Sequence, residues 1–270
     1  MDFFKDIGEI LSTSEYMSYI WSGLKTTLIV SLGAAALGML LGMLVAIIKI
    51  SAQTNKKLKV PEIICNIYIG IIRGTPVALQ LFIMAFAILA IRNFPLEITA
   101  ILTFGINSGA YVAENLRAGI MSVDPGQTEA GRSLGLSSST TMMSIVIPQA
   151  IKNVIPAMGN ELIALIKETS IVSMVGLIDL TFAAKIVGAG DKMADYFVPM
   201  MVVALFYLAI VYILTFILRK LERKLRESEQ HISDKKAAKV QAKTTKKLNR
   251  IQARYDKYVA GLKTDTQEDM

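Results

Sequence analysis

The chain has 270 residues, 53% of them hydrophobic, with a mean hydropathy of +0.48 and a formal net charge of +7. This composition is typical of an integral membrane protein and excludes an ordinary water-soluble domain. The single cysteine and the single histidine exclude an internal disulfide and supply no set of side chains for a metal site. No Gly-x-x-x-x-Gly-Lys-Ser/Thr phosphate loop is present, so the chain is not expected to hydrolyse ATP.

The first 17 residues are predicted to form an extracytoplasmic segment. Their acidic side chains outnumber the basic ones, which is the opposite of the charge pattern at the start of a signal peptide, so no cleavage is expected. The charged residues are Asp2, Asp6, Glu9 and Glu15 against Lys5 alone.

Five apolar stretches are long enough to cross about 30 Å of hydrocarbon. They cover about residues 22–49, 61–92, 97–120, 153–178 and 197–218, within a transmembrane region of about residues 18–220. In the first span, Ala34, Gly38 and Gly42 share one helix face, which favours close helix packing, with a role in gating as the alternative. The second span is overlong and is interrupted by Arg-Gly-Thr-Pro at 73–76, which predicts a kink or a peripheral first half.

The basic residues between the first two spans orient the bundle. Lys49, Lys56, Lys57 and Lys59 predict that this connection is cytoplasmic. Alternation then places the N-terminus and the connections at 92–97 and 179–195 outside, and the C-terminus inside. The expected fold is an all-α membrane protein with five transmembrane helices, N-out and C-in.

Residues 221–270 are predicted to be a basic, cytoplasmic and partly helical tail. Residues 219–270 hold 15 basic and 8 acidic side chains, whereas residues 1–218 hold 14 of each. This charge favours contact with anionic membrane lipid. An apolar stripe at helical spacing fits a short coiled coil, an amphipathic helix on the inner leaflet, a partner-binding helix or a solvated tail. The stripe consists of Leu248, Ile251, Tyr255, Tyr258 and Leu262.

The segment between the third and fourth spans is polar and contains two predicted helix starts. Asp124 supplies an N-cap acceptor before Pro125, and Gly135 is suited to the left-handed residue that ends a helix. Ser137 or Ser138 is then expected to cap a second helix that ends before Pro148. Two short helices that meet at a glycine would form a cytoplasmic protrusion over residues 124–148.

The order of residues from Glu129 to Pro148 resembles the coupling-helix loop of ABC importer permeases. Gly131 stands where that family usually has a second alanine, and Ile147 stands where leucine is usual. The resemblance implies that this coupling loop, residues 124–148, docks on an ATPase subunit. The implied coupling residues are Glu129, Ala130, Gly131, Gly135, Leu136 and Pro148.

Two further motifs resemble the polar-amino-acid branch of these permeases, the histidine, glutamine and arginine type. One is the Arg-Gly-Thr-Pro sequence followed by Gln80, and the other runs from Tyr111 through Glu114 and Arg117 into the coupling loop. An arginine inside an apolar span costs about 2.5–3.5 kcal/mol unless it is paired or hydrated. Arg73 and Thr75 are therefore predicted either to line the substrate path or to belong to a salt-bridged helix kink.

The fourth span is the most polar. At 100° per residue its polar side chains fall within a sector about 120° wide, so they are expected to face the bundle interior or a water-filled cavity. The charged members sum to minus one. The Lys-Glu-Thr-Ser sequence at 167–170 again resembles the amino-acid permeases, and a self-compensating Lys–Glu cluster is the alternative. The candidate path residues are Asn160, Glu161, Lys167, Glu168 and Ser170.

The resemblance covers about residues 18–220 and implies a type I ABC importer permease in a bacterial cytoplasmic membrane. The implied partners are a second permease subunit, identical or different, a pair of ATP-binding cassette subunits and an extracytoplasmic solute-binding protein. No cofactor and no nucleic acid are expected. An energy-independent channel or receptor-like module, and a membrane enzyme, are the alternatives, and the amino acid carried is left open.

Overall fold

The computed structural model describes residues 3–53, 55–190 and 196–268, and over these residues the chain is helical, without a strand. It divides into two compact units, Met1–Leu218 and Arg219–Met270. Three helices are long and apolar enough to cross a membrane, or up to five if each of two bent helix pairs counts as one span. The all-α prediction is confirmed, while the span count and the orientation stay predictions.

The first long helix packs closely on the helix of the third predicted span. Helix α1 (Phe3–Ser12) is followed by α2 (Ser14–Ala52), and α5 covers Leu96–Met121. A Cβ added at Gly38 would lie 2.7 Å from Ser108 Oγ, and one added at Gly105 would lie 2.8 Å from Leu37 Cβ. Such distances leave no room for a side chain, so the prediction that the small residues permit close packing is confirmed.

The second predicted span is broken in two. Helix α3 (Lys59–Gly74) and helix α4 (Val77–Ile83), which continues as a π turn to Ile88, meet at an angle of 105°. Thr75 is extended, as expected for the residue before a proline, and Pro76 cannot donate a helical hydrogen bond. The kink predicted from residues 73–76 is confirmed.

The coupling loop forms α6 (Pro125–Ser133) and α7 (Ser138–Thr141), and α8 covers Ile147–Glu168. The expectation that the second helix ends before Pro148 is wrong, because a π turn over Met142–Val146 joins α7 to α8. The turn places Pro148 in the first turn of α8, where a backbone donor is not required. A 3-10 turn then leads to Gly176, and α9 (Leu180–Gly188) follows.

The last helix, α10, covers Phe197–Glu268, and its part up to Leu225 is apolar enough to cross a membrane. The tail backbone is thus helical to Glu268, which agrees with the predicted helical period. Within the tail stripe, Leu248 and Ile251 are exposed. The side chains of Tyr255, Tyr258 and Leu262, and the whole of Asp191 to Asp195, lie outside the described residues.

Candidate functional site

Helix α6 is closed at both ends by hydrogen bonds that its own sequence supplies. At the start, the amide of Gly126 donates to Asp124 Oδ1 at 2.8 Å, and Pro125 is the first helical residue. At the end, Leu136 N donates to the Gly131 carbonyl at 3.2 Å and Gly135 N donates to the Arg132 carbonyl at 3.0 Å. These two bonds form a Schellman motif around Gly135, whose φ of +81° confirms the predicted left-handed stop.

The inner face of α6 is fixed to the segment that leads into α8. Gly131 is buried, and a Cβ added there would lie 2.7 Å from Thr141 Cγ2 and 3.1 Å from Ile145 Cδ1. Gln149 Nε2 reaches Gln127 Oε1 at 3.5 Å, and Thr141 Oγ1 donates to the Ser137 carbonyl at 3.0 Å. The Gly131 and Gln127 contacts thus join α6 to the segment that leads into α8, while the Thr141–Ser137 bond lies within the α7 turn.

The outer face of α6 is open. Glu129, Ala130 and Gly135 are exposed, and Leu134 is 81% exposed although it is a large apolar residue. Leu136 is half-buried and Pro148 is exposed at the start of α8. The coupling residues predicted from sequence therefore share one small protruding unit, with Gly131 on its buried side.

At the bend between α3 and α4, the carbonyl groups freed by Pro76 are satisfied by Gln80. Its Nε2 donates to the Ile72 carbonyl at 2.9 Å and to Thr75 Oγ1 at 2.8 Å. Its Oε1 in turn accepts a hydrogen bond of 2.9 Å from Asn107 Nδ2 on α5. Thr75 Oγ1 donates to the Ile71 carbonyl at 2.9 Å, so the predicted path residue Thr75 has structural partners at the bend.

Arg73 lies in a cluster of ions around Glu114. The Glu114 carboxylate lies 3.1 Å from Lys49 Nζ, 2.9 Å from Arg117 Nη2 and 3.6 Å from Arg73 Nη1. The Arg73 guanidinium also lies over the Tyr111 ring, 5.3 Å from its centroid. This geometry agrees with the alternative in which Arg73 belongs to a salt-bridged kink.

On α8, Glu161 lines a cavity of about 230 Å³ together with Ser108 of α5 and Gly159. Glu161 and Glu168 are half-buried, whereas Asn160 and Lys167 are exposed. Within the described residues neither glutamate has a salt-bridge partner closer than 4.0 Å, so the structure gives no support to a paired Lys–Glu cluster. Glu161 and Lys167 are six positions apart, which separates them by about 9 Å along the helix axis.

The family of the chain follows from comparison with known proteins. Residues 38–227 match the family described as the binding-protein-dependent transport system inner membrane component. The chain belongs to this family of ABC importer permeases. The match includes the coupling loop, the bend and the polar face of α8, and it ends before most of the tail.

Relatives match this chain over most of their own length, and one solved relative shares its fold. An arginine transport system permease protein of Bacillus subtilis (strain 168) is 37% identical over 81% of this chain and 97% of its own length. A Rickettsia typhi (strain ATCC VR-144 / Wilmington) protein, provisionally named a glutamine transport system permease protein, is 40% identical over 77% of this chain and 93% of its own. A solved chain of an amino acid ABC transporter with histidines has 39% identity and a TM-score of 0.72 over 80% of this chain and 98% of its own.

The permease has further polar groups that the sequence analysis did not select. Asn107 and Ser108 interrupt the third span, and this polar pair in an apolar helix was the available signal. Asp179 was assigned only to an outward-facing connection. It is fully buried at the start of α9, where it accepts hydrogen bonds from Phe182 N at 2.9 Å and Tyr207 Oη at 3.1 Å. Asp179 therefore caps a helix and ties it to α10.

Proposed function

We propose that this chain is the membrane-spanning permease subunit of an ATP-driven importer of polar amino acids, and that it couples transport to a separate ATPase subunit. The observation that carries the proposal is the α6 unit, which is capped at both ends, anchored to α8 and open on its outer face. The relatives named for glutamine and arginine transport, and the amino acid transporter solved with histidines, support the substrate class.

In the proposed arrangement each bent helix pair counts as one span, which gives five spans with the N-terminus outside and the C-terminus inside. The basic residues around the start of α3 support this orientation through the positive-inside rule. The family supports a second permease subunit, two ATP-binding cassette subunits, a solute-binding protein outside and a bacterial cytoplasmic membrane as the location.

The coupling step follows from the rigidity of α6. When the ATPase subunits close on ATP, the exposed face around Glu129, Ala130 and Leu134 is carried with them. Because Gly131 packs directly on Thr141, the displacement passes into α8 instead of being lost in a flexible loop. Helix α8 then moves the polar side chains that border the path.

We assign the substrate path to the polar sector of α8, with the cavity at Glu161 and Ser108 as its best-defined part. An α-amino acid carries one ammonium and one carboxylate group. Glu161 is suited to the ammonium group and the exposed Lys167 to the carboxylate, while Asn160, Glu168 and Ser170 border the same sector. Arg73 and Thr75 remain candidates only through their support of the bend.

The deciding experiment is reconstitution of the permease with an ATP-binding cassette subunit and a solute-binding protein from the same host. Proteoliposomes that contain ATP should take up a labelled amino acid only when the binding protein is present. Uptake that needs neither ATP nor the ATPase would support the channel alternative and contradict the proposal.

Thiol accessibility tests the orientation separately. Single cysteines in place of the exposed Ser14 and Ser138 should respond oppositely to a membrane-impermeant reagent in whole cells, in a Cys65→Ser background. Ser14→Cys should be labelled and Ser138→Cys protected. A third site predicted to be outside, Asp191, lies beyond the described residues. The reverse pattern would invert the proposed topology.

A further inference from the structure

The ion cluster around Glu114 is unbalanced in charge. One carboxylate faces three cations from three helices: Lys49 on α2, Arg73 on α3 and Arg117 on α5. Within the described residues, none of the three cations has a second carboxylate within 4.0 Å. The cluster therefore keeps a surplus of two positive charges, which Glu114 cannot neutralise.

The surplus lies on the two arginines. The side chains of Lys49 and Glu114 are each 18% exposed, whereas those of Arg73 and Arg117 are 43% and 44% exposed. The Arg73 guanidinium lies over the Tyr111 ring. Arg117 donates hydrogen bonds from Nε and Nη2 to the Glu114 carboxylate. Arg117 Nη1 also donates to Met121 Sδ at 2.9 Å, and within the described residues the other N–H groups of both guanidinium groups make no hydrogen bond.

The position of the cluster restricts which anion can reach it. Lys49 and Arg73 lie in the last turns of their helices, and Arg117 is one turn before the end of α5. Met121 is 69% exposed and accepts a hydrogen bond of 2.9 Å from Arg117 Nη1, and the same helix ends expose Ile47 and Ile71 on other faces. Lys49 and Arg117 lie near the ends of α2 and α5, and the contact with Glu114 brings Arg73, at the bend after α3, to the same level. In the proposed orientation this is the level of the inner-leaflet headgroups.

We propose that Arg73 and Arg117 bind the phosphate of an anionic phospholipid in the inner leaflet. The guanidinium fork matches phosphate oxygens in two-point contacts, and basic pockets between membrane helices are suited to anionic headgroups. Two arginines from α3 and α5 would share one headgroup, which would balance the charge and hold α3 against α5 beside the bend. The choice of leaflet rests on the orientation under the proposed function.

The test uses the full-length chain, purified in mild detergent and titrated with phosphatidylglycerol or phosphatidylcholine while bound lipid is counted by native mass spectrometry. The wild type should retain phosphatidylglycerol preferentially, and Arg73→Gln and Arg117→Gln should each lower its affinity about fivefold. Glu114→Gln should raise the affinity, because the surplus charge increases from two to three. Lys59→Gln is the matched control, since Lys59 is exposed and paired with Glu62 outside the cluster.

The sign of the Glu114→Gln effect separates a lipid site from a purely structural ion network. Equal retention of the two lipids, or lower phosphatidylglycerol affinity in Glu114→Gln as in the arginine variants, would overturn the proposal. If an arginine-to-glutamine variant fails to fold, Arg73→Lys keeps the charge without the fork and should show a smaller loss. Inorganic phosphate that binds alone as tightly as the lipid would assign the site to soluble phosphate. Transport in proteoliposomes is measured separately, so a negative lipid-binding result would not contradict the proposed function.

Discussion

The end of α6 at Gly135 and the break between α3 and α4 at Pro76 both interrupt a helix and free backbone carbonyl groups. At Gly135 the free carbonyls are satisfied by amides only three and five residues further on. At Pro76 they are satisfied by the side chain of Gln80, which is itself held by Asn107 on another helix. The end of α6 is therefore stabilised by neighbouring residues alone, whereas the break at Pro76 is stabilised only when α5 is packed beside it.

This difference predicts that a backbone change at Gly135 has the largest effect on coupling. A valine at φ +81° is strained by about 1–3 kcal/mol, although its Cβ would meet no atom within 4 Å. We expect Gly135→Val to lower uptake per ATP hydrolysed about tenfold in proteoliposomes, whereas Gly135→Asn, which tolerates this conformation, stays near the wild type.

Gly176 supplies the control for Gly135→Val. It has a φ of +88° and also has open space around its Cβ, but it lies after α8 and away from the coupling loop. Gly176→Val should lower thermal stability and leave the ratio of uptake to hydrolysis unchanged. An equal change of that ratio in both valine variants would contradict the proposed coupling role of α6.

At the bend, we expect Gln80→Leu to lower stability by about 2 kcal/mol, because it leaves backbone carbonyls and the Asn107 amide without their partner. Thermal unfolding in detergent measures this change. Gln149→Leu is the control for stability, since Gln149 donates at 2.8 Å to the Ile145 carbonyl in the adjoining π turn and reaches Gln127 only at 3.5 Å. The double variant Gln80→Leu/Asn107→Leu should lose less than the sum of the single losses. Additive losses would argue against the coupled bend.

Glu161→Gln should change substrate selection by a smaller free energy, about 1–2 kcal/mol, since solvent and desolvation offset much of the Coulomb attraction to a substrate cation. The measurement is competition uptake among arginine, lysine, glutamine and cystine with the binding protein held constant. Arginine and lysine should lose preference by roughly 5- to 30-fold. An unchanged ranking would make Glu161 structural.

The smallest effect is expected at Gly131, where alanine improves helix propensity but would bring its Cβ to 2.7 Å from Thr141 Cγ2. Gly131→Ala alone should change stability by less than about 1 kcal/mol. Gly131→Ala with Thr141→Ser, which removes that methyl group and keeps the hydroxyl, should be more stable than Gly131→Ala. A less stable double variant would show that Thr141 does not limit this position.

The same contrast explains how far sequence could predict the structure. The caps of α6 and its end at Gly135 depend on neighbouring residues, so the sequence predicts them. Glycine and proline in the same way predict the break at 73–76. The sequence does not predict the partners of Gln80 and Glu114, because Asn107 lies 27 residues from Gln80 and Lys49 lies 65 residues from Glu114. The π turn over Met142–Val146 is likewise not predicted by the residue types there, and the sequence analysis instead expects a helix end before Pro148.

The close approach of α2 and α5 limits how the bundle can change shape. Gly38 faces Ser108 on α5, and Gly105 faces Leu37 on α2, so backbone meets side chain without an intervening layer. Sliding one helix past the other would move Leu37 and Ser108 away from these glycines and against neighbouring side chains. We therefore expect α2 and α5 to move as one rigid body. Spin labels on α2 and α5 should keep a constant separation through the transport cycle, while a label on α8 changes its distance to both.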